Sequence, residues 1–208
     1  MKKILLIILA FTVQVSLTNC QNKTIETKTY EVTPEFAKSI NKPEVHFKVE
    51  IPTSLNFDKP QPGKKTSSYG MIQKKNDKNE IIEMCSFGYI DIKGQTDFED
   101  TAKSFLGQVK DMLEGAGYKM EESKIGYIKL DNNDHLALTA IASMDEGLFD
   151  EFVGRYYFNA VIRPNPNPKA STQIMFFMSA RDDQNINEYK DFIEKLDIST
   201  VWETFKYL

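Results

Sequence analysis

The sequence predicts an α+β fold: an antiparallel sheet with one long helix and a C-terminal helix packed on it. Three observations carry that expectation. First, Lys124 to Leu130, Leu136 to Ser143, Arg155 to Arg163 and Thr172 to Ala180 read as consecutive strands. In the last two, Tyr156, Phe158, Ala160 and Ile162, then Ile174, Phe176, Met178 and Ala180, alternate with their neighbours, the period of a sheet with one face in the core. Short connections between such strands imply an antiparallel meander. Second, Phe98, Ala102, Phe105, Val109, Met112 and Ala116, flanked by Leu106 and Leu113, recur at helical spacing over Asp97 to Ala116. A stripe of this kind buries one side of a helix, and its partner is the sheet. Third, Tyr189, Phe192, Ile193 and Leu196 fall at positions zero, three, four and seven of a second helix over Ile186 to Leu196.

Taken in order, Thr33-Pro34 reads as an N-cap followed by proline at the first helical position, opening a short helix over Glu35 to Ile40 that stops before Pro43. In Val45 to Pro52, Val45, Phe47, Val49 and Ile51 point one way and His46, Lys48 and Glu50 the other. Pro60, Pro62 and Gly63 punctuate a loop. Ser67 to Lys74 and Glu80 to Ile92 form a hairpin around Asn76-Asp77-Lys78-Asn79, with Lys74, Lys75 and Lys78 as a solvated tip. Thr96 and Glu99 have capping-box spacing at the start of the long helix, and Gly115 and Gly117 end it. Asp131-Asn132-Asn133-Asp134 makes a hairpin turn. Near the C-terminus, Trp202 and Phe205 are expected to dock on the body.

The chain has 208 residues, enough for one ordinary domain and a tail. Its 14 Phe and 9 Tyr can supply a core. With 30 acidic against 26 basic residues, and only Arg155, Arg163 and Arg181 as arginines, it lacks the basic footprint of a nucleic-acid binder.

Lys2 and Lys3 precede an apolar run from Ile4 to Leu17 that is short for a membrane-spanning helix. The run ends in Leu17-Thr18-Asn19-Cys20. This order and spacing resemble the lipobox of bacterial lipoproteins. The resemblance implies a signal peptide over residues 1–19, cleavage before Cys20, a diacylglyceryl group with palmitate-type chains on its thiol, and a protein anchored to a membrane of the cell envelope. Such chains contribute about 0.8 kcal/mol per buried methylene, and two or more make anchoring stable. Cleavage would remove two lysines and no acid, so lipid rather than charge makes the membrane link. Residues 20–32, rich in Thr, Lys and Glu, are expected to be a tether, and residues 33–208 the folded domain. The second cysteine, Cys85, would then have no disulfide partner and lies in a strand pattern that suits a small buried side chain.

The element order from Phe47-Lys48-Val49-Glu50-Ile51-Pro52 onward, with hairpin, long helix, meander and C-terminal helix, resembles the PsbP-like α-β-α sandwich of photosystem extrinsic proteins and bacterial envelope lipoproteins. That resemblance implies architecture and transfers no functional residue.

Motifs for chemistry are sparse. His46 and His135 are the only histidines. Neither stands in a nucleophile-elbow context, and the sequence has no paired ligands at zinc spacing, no phosphate-binding glycine loop and no EF-hand. No cofactor and no metal are therefore expected. His46 reads as a solvated residue on the polar face of its strand, and His135 as a hydrogen-bonded structural one. Met144 to Val153 is longer than a tight hairpin needs and sets Leu148, Phe149 and Phe152 among Asp145, Glu146, Asp150 and Glu151. These apolar side chains either fold back to cap the sheet or form a partner-binding edge with an acidic rim. Two function classes follow: a lipid-anchored envelope module that binds a protein or small ligand without catalysis, or an envelope enzyme with an unrecognised active site. A pocket joining a histidine to several carboxylates would favour the enzyme.

Overall fold

The computed structural model describes residues 25–92, 97–130, 132–145, 150–186 and 188–208. Two antiparallel sheets and one long helix form three layers. The larger sheet has seven strands: β3 (Asn56–Asp58), β4 (Met71–Lys75), β5 (Ile81–Asp91), β6 (Lys119–Leu130), β7 (Asn133–Met144), β8 (Gly154–Arg163) and β9 (Thr172–Arg181). Their spatial order is β3-β4-β5-β9-β8-β7-β6. The expected meander is thus present, and the β4–β5 hairpin joins it through β5 beside β9. The smaller sheet has the order β1-β2-β10, from β1 (Thr27–Val32), β2 (Phe47–Pro52) and β10 (Lys206–Tyr207).

Between the sheets lies the larger core. Strands β1 and β2 contribute Tyr30, Val32, Phe47, Val49 and Ile51; the seven-stranded sheet contributes Ile72, Cys85, Phe87, Val161, Phe176 and Met178. On the opposite face, α2 (Phe98–Gly115) covers Leu136, Leu138, Ala140, Phe158 and Ala160 with Ala102, Leu106, Val109 and Leu113. Burial on both faces explains the unbroken apolar run Ile174 to Met178 in β9. Cys85 is buried, as its strand pattern indicates, and burial pushes its thiol pKa up.

Four sequence expectations need correction. Residues 27–32, expected to be tether, are strand: Thr27–Val32 pairs antiparallel along all of β2 and buries Tyr30 and Val32; residues 20–24 lie outside the described residues. Helix α2 begins with Asp97 as N-cap, its carboxylate accepting from Asp100 N at 3.0 Å. Glu99 turns instead to Lys103 and Tyr127, and Thr96 lies outside the described residues. The apolar stripe of α2 is rotated from the expected one: Leu106 is fully buried, Phe105 is half-buried, and Met112 is 60% exposed. The expected helix over Ile186 to Leu196 is reduced to α3 (Asp191–Glu194), followed by α4 (Ser199–Thr204).

Two buried carboxylates account for that break. Asp191 Oδ2 accepts from the Glu188 backbone N–H at 3.2 Å, a local turn that competes with helix. Glu83 reaches from β5 and accepts from the N–H of Asp197 at 2.9 Å and of Ile198 at 3.3 Å. Glu83 is itself held by Lys74 Nζ at 2.9 Å, and the same ammonium lies 2.8 Å from Asp197. Lys75 pairs with Glu151 at 3.0 Å. Two of the three lysines at the hairpin tip are therefore ion-paired rather than freely solvated. The short first helix forms as read, over α1 (Pro34–Ser39), with Thr33 Oγ1 accepting from Phe36 N at 3.2 Å.

Trp202 and Phe205 dock as expected. Trp202 is completely buried, 5.2 Å from the ring of Phe176 and 5.2 Å from that of His135. The Arg163 guanidinium lies 4.6 Å over its ring.

Candidate functional site

The register of the large sheet locates the site. Reading across the strands on the face that meets the small sheet, one row runs Ile72, Cys85, Met178, Asn159, Thr139, Lys124. The next row runs Lys74, Glu83, Ala180, Tyr157, Ile141, Glu122. Side chains alternate faces along each strand, so these rows share one surface. The small sheet and C-terminal segment cover its β4–β5–β9 end. Along these two rows the cover stops toward β6, where Lys124 and Glu122 are exposed, whereas Ile128, Leu130 and Ala137 at the other end of the same hairpin belong to the inter-sheet core.

At that border is an open groove of about 260 Å³. Thr139, Ile141 and Tyr157 form its floor, Glu122 and Lys124 its outer rim, and Glu188, Tyr189 and Phe192 its wall. Phe192 is buried and Tyr189 half-buried, both packed against the inter-sheet core. The wall is therefore anchored by the same turn that ends in α3. Tyr157 is positioned by Arg155, whose Nη1 donates to its hydroxyl at 3.3 Å and whose Nε donates to Glu121 at 2.8 Å. Glu188 pairs with Lys190 at 2.9 Å.

Asn159, two residues from Tyr157 on the same face and directly opposite Thr139, is buried and does not line the groove. It is 0% exposed, and neither its Nδ2 nor its Oδ1 has a hydrogen-bond partner within the protein. Leaving a buried amide without partners costs about 1–3 kcal/mol. Of its two cross-strand neighbours, Met178 is apolar and Thr139 donates its hydroxyl to Lys124 O at 3.5 Å. Nothing in the period-two pattern marks Asn159, because the strand alternates correctly whether position 159 is polar or not. An asparagine inside an otherwise apolar strand run was the only available signal.

The residues singled out from sequence lie elsewhere. Cys20, Leu148 and Phe149 are outside the described residues. Phe152 follows a single 3₁₀ turn (Asp150–Phe152) and packs, half-buried, against the core under α2. Its carbonyl accepts from the Tyr118 hydroxyl at 3.4 Å. His46 Nε2 is 2.8 Å from Glu31 at the surface. His135 is buried beside Trp202. Neither histidine lines the groove. Among the described residues, no three His, Cys, Asp or Glu side chains converge to hold a metal ion. No helix among them is long and apolar enough to cross a membrane.

No protein-family model matches the chain, and no curated protein matches it in sequence. Solved structures do match. The cyanobacterial PsbP protein of Synechocystis is 14% identical with a TM-score of 0.50, over 92% of this chain and 99% of that one. A Ran-binding protein of Saccharomyces cerevisiae, Mog1p, is 8% identical with a TM-score of 0.46, covering 88% of this chain and 96% of its own. LpqN of Mycobacterium tuberculosis, involved in cell envelope biogenesis, is 12% identical with a TM-score of 0.45, covering 88% and 91%. At such identities the likeness concerns fold alone, and the first match carries it: the chain has a PsbP-like α+β fold.

Proposed function

We propose that this chain is a lipid-anchored lipoprotein of the cell envelope whose folded body is a non-catalytic binding module, with the groove between β6–β8 and the Glu188–Phe192 segment as its contact surface. The anchor reading rests on the residues before and at Cys20: a basic start, a short apolar run, and a leucine three residues before the cysteine. The groove carries the binding reading. It combines an aromatic wall with a mixed polar floor and has no histidine or cysteine among its lining residues. Apolar surface with a few fixed polar groups is what orients a ligand.

Two substitutions test the two halves separately. Cys20→Ala should move the protein out of the membrane fraction or arrest its maturation. A variant that stays membrane-bound with unchanged mobility removes the anchor reading. Tyr157→Ala with Tyr189→Ala should leave membrane attachment and folding intact while abolishing recovery of whatever the lipidated wild type carries from native membrane. Equal recovery by wild type and variant removes the groove as the contact surface.

A further inference from the structure

We propose that the free edge of β6 is a self-association surface: a second copy of this chain pairs antiparallel with it, Ser123 facing its own copy across a two-fold axis. The proposal concerns the strand edge rather than the groove, so it goes beyond the binding reading and the two can fail separately.

The edge comes first. In the seven-stranded sheet β6 is the terminal strand and pairs with β7. Among the described residues no strand pairs with its outer side. Alternate residues of an edge strand turn their N–H and C=O groups outward, a template for another strand. The opposite edge of the sheet, β3, has 3 residues against 12 in β6. Pairing through β6 therefore closes at two copies and does not propagate.

Charge selects the occupant and the register. Charges on an edge ordinarily keep other strands away, and two of those on β6 are already taken: Lys119 pairs with Asp145 and Glu121 with Arg155. Glu122 and Lys124 are not. Both are exposed, both line the groove, and neither is in an ion pair among the described residues. Two copies of one strand pair symmetrically only when some residue faces itself, because directly opposite side chains share a face. Centring on Glu122 sets carboxylate against carboxylate, and centring on Lys124 sets ammonium against ammonium. Centring on Ile125 sets Lys129 against the Glu121 that Arg155 already holds, and leaves Glu122 and Lys124 facing Ile128 and Gly126. Centring on Ser123 sets Glu122 against Lys124 of the second copy and Lys124 against Glu122 of the second copy. Opposite charges placed directly across a ladder attract, and like charges repel. The register shift between Met120 and Glu122 bends the strand and confines the ladder to residues 121–125, so the pair is a weak one. In it, the second copy borders the open rim of each groove.

The test uses the full chain in detergent, followed by sedimentation equilibrium up to millimolar concentration. Wild type is expected to pass from monomer to dimer mass and no further. Glu122→Lys alone and Lys124→Glu alone each set two like-charge pairs across the edge and should weaken association at least about tenfold. The double variant carrying Glu122→Lys and Lys124→Glu exchanges the charges within each pair and should recover wild-type association. An equimolar mixture of the two single variants should also associate, because each supplies the charge the other lacks; it decides the matter if the double variant does not fold. A wild type that stays monomeric throughout, or that grows beyond a dimer, overturns the proposal. Wild-type association by either single variant overturns it as well, since the interface would then lie elsewhere. Failure of both the folded double variant and the mixture to associate has the same effect.

Discussion

One face of the seven-stranded sheet has two unlike halves. At the β4–β5–β9 end, Ile72, Cys85 and Met178 sit in line beneath the small sheet, all buried. At the β6–β7–β8 end, the same line continues as Asn159, Thr139 and Lys124 and passes from buried to exposed. Strands β5 to β9 are each 10–12 residues long, so strand length among them does not distinguish the halves. What differs is cover. The small sheet, α4 and Phe205 lie over the first half; in the second, Trp202 packs on His135 and the inter-sheet core takes in Ile128, Leu130, Ala137 and Val161, while the stretch of Thr139, Ile141 and Tyr157 is flanked by Tyr189 and Phe192. The covered stretch supplies most of the burial on this face; under the proposed function the open stretch is the part left for recognition.

Substitutions can break or sharpen this contrast. The largest effect is expected at Trp202, completely buried between Phe176, His135 and Arg163. Trp202→Ala should cost about 3–5 kcal/mol in chemical denaturation; a cost below about 1 kcal/mol would mean that the cover is not what holds that half together. On the opposite face, Leu106→Ala should cost about 2–5 kcal/mol and Phe105→Ala on the order of half as much, because only Leu106 is fully buried. The reverse order would place the stripe where the sequence alone puts it.

Glu83→Gln keeps one acceptor but removes the charge that serves Lys74 and the N–H groups of Asp197 and Ile198. A loss of about 1–3 kcal/mol is expected, with the C-terminal segment losing hydrogen-exchange protection before the meander. Uniform loss of protection would contradict a local role.

High pH probes both cores at once. Burial raises the pKa of Tyr156 to about 12 and pushes those of Tyr30, Tyr69, Tyr118 and Tyr207 up as well. Tyr30, Tyr69, Tyr156 and Tyr207 donate to the carbonyls of Tyr69, Pro43, Ile81 and Arg163, bonds that require the neutral phenol. An acid whose folded-state pKa is raised keeps its proton longer in the folded than in the unfolded chain. Stability is therefore intact below the ordinary tyrosine pKa near 10 and falls above it, by up to about 1.4 kcal/mol per pH unit for each such group. A denaturation midpoint constant from pH 9 to 11.5 would show these phenols to be solvated. The smallest effect belongs to the open half: Thr139→Val should change stability by less than about 1 kcal/mol, and a larger loss would put the groove floor among the structural elements.

The meander was legible because four long strands state their period repeatedly, and α2 because eighteen residues average over local exceptions. Shorter elements failed for identifiable reasons. Thr27–Val32 has two buried side chains, Tyr30 and Val32, amid Thr, Lys and Glu, so composition hid its alternation. The helix expected over Ile186 to Leu196 has sound spacing, yet Glu83, more than a hundred positions earlier, takes the N–H groups that follow it. A one-dimensional pattern does not contain that bond. The groove was illegible for the same reason: Lys124, Thr139, Tyr157 and Tyr189 meet only through strand register, and Asn159 becomes notable only once its burial and lack of partners are known.

The small sheet has one further consequence, for the order of assembly. Its central strand β2 pairs on one side with β1, near the start of the described chain, and on the other with β10, near its end. The Tyr207 hydroxyl then bridges Arg163 O and Ile174 N, tying β10 to the large sheet. Strands β1 and β2 are made long before β9, the strand of the large sheet that supplies Phe176 and Met178 to the same core, and α4 and β10 follow later still. Contacts of such long sequence separation form slowly, because loop closure precedes their reward. A chain emerging from synthesis can set Phe47 and Phe176 against Phe87, but the ring of Phe205 that packs on both arrives only with the C-terminal segment, so this core closes late.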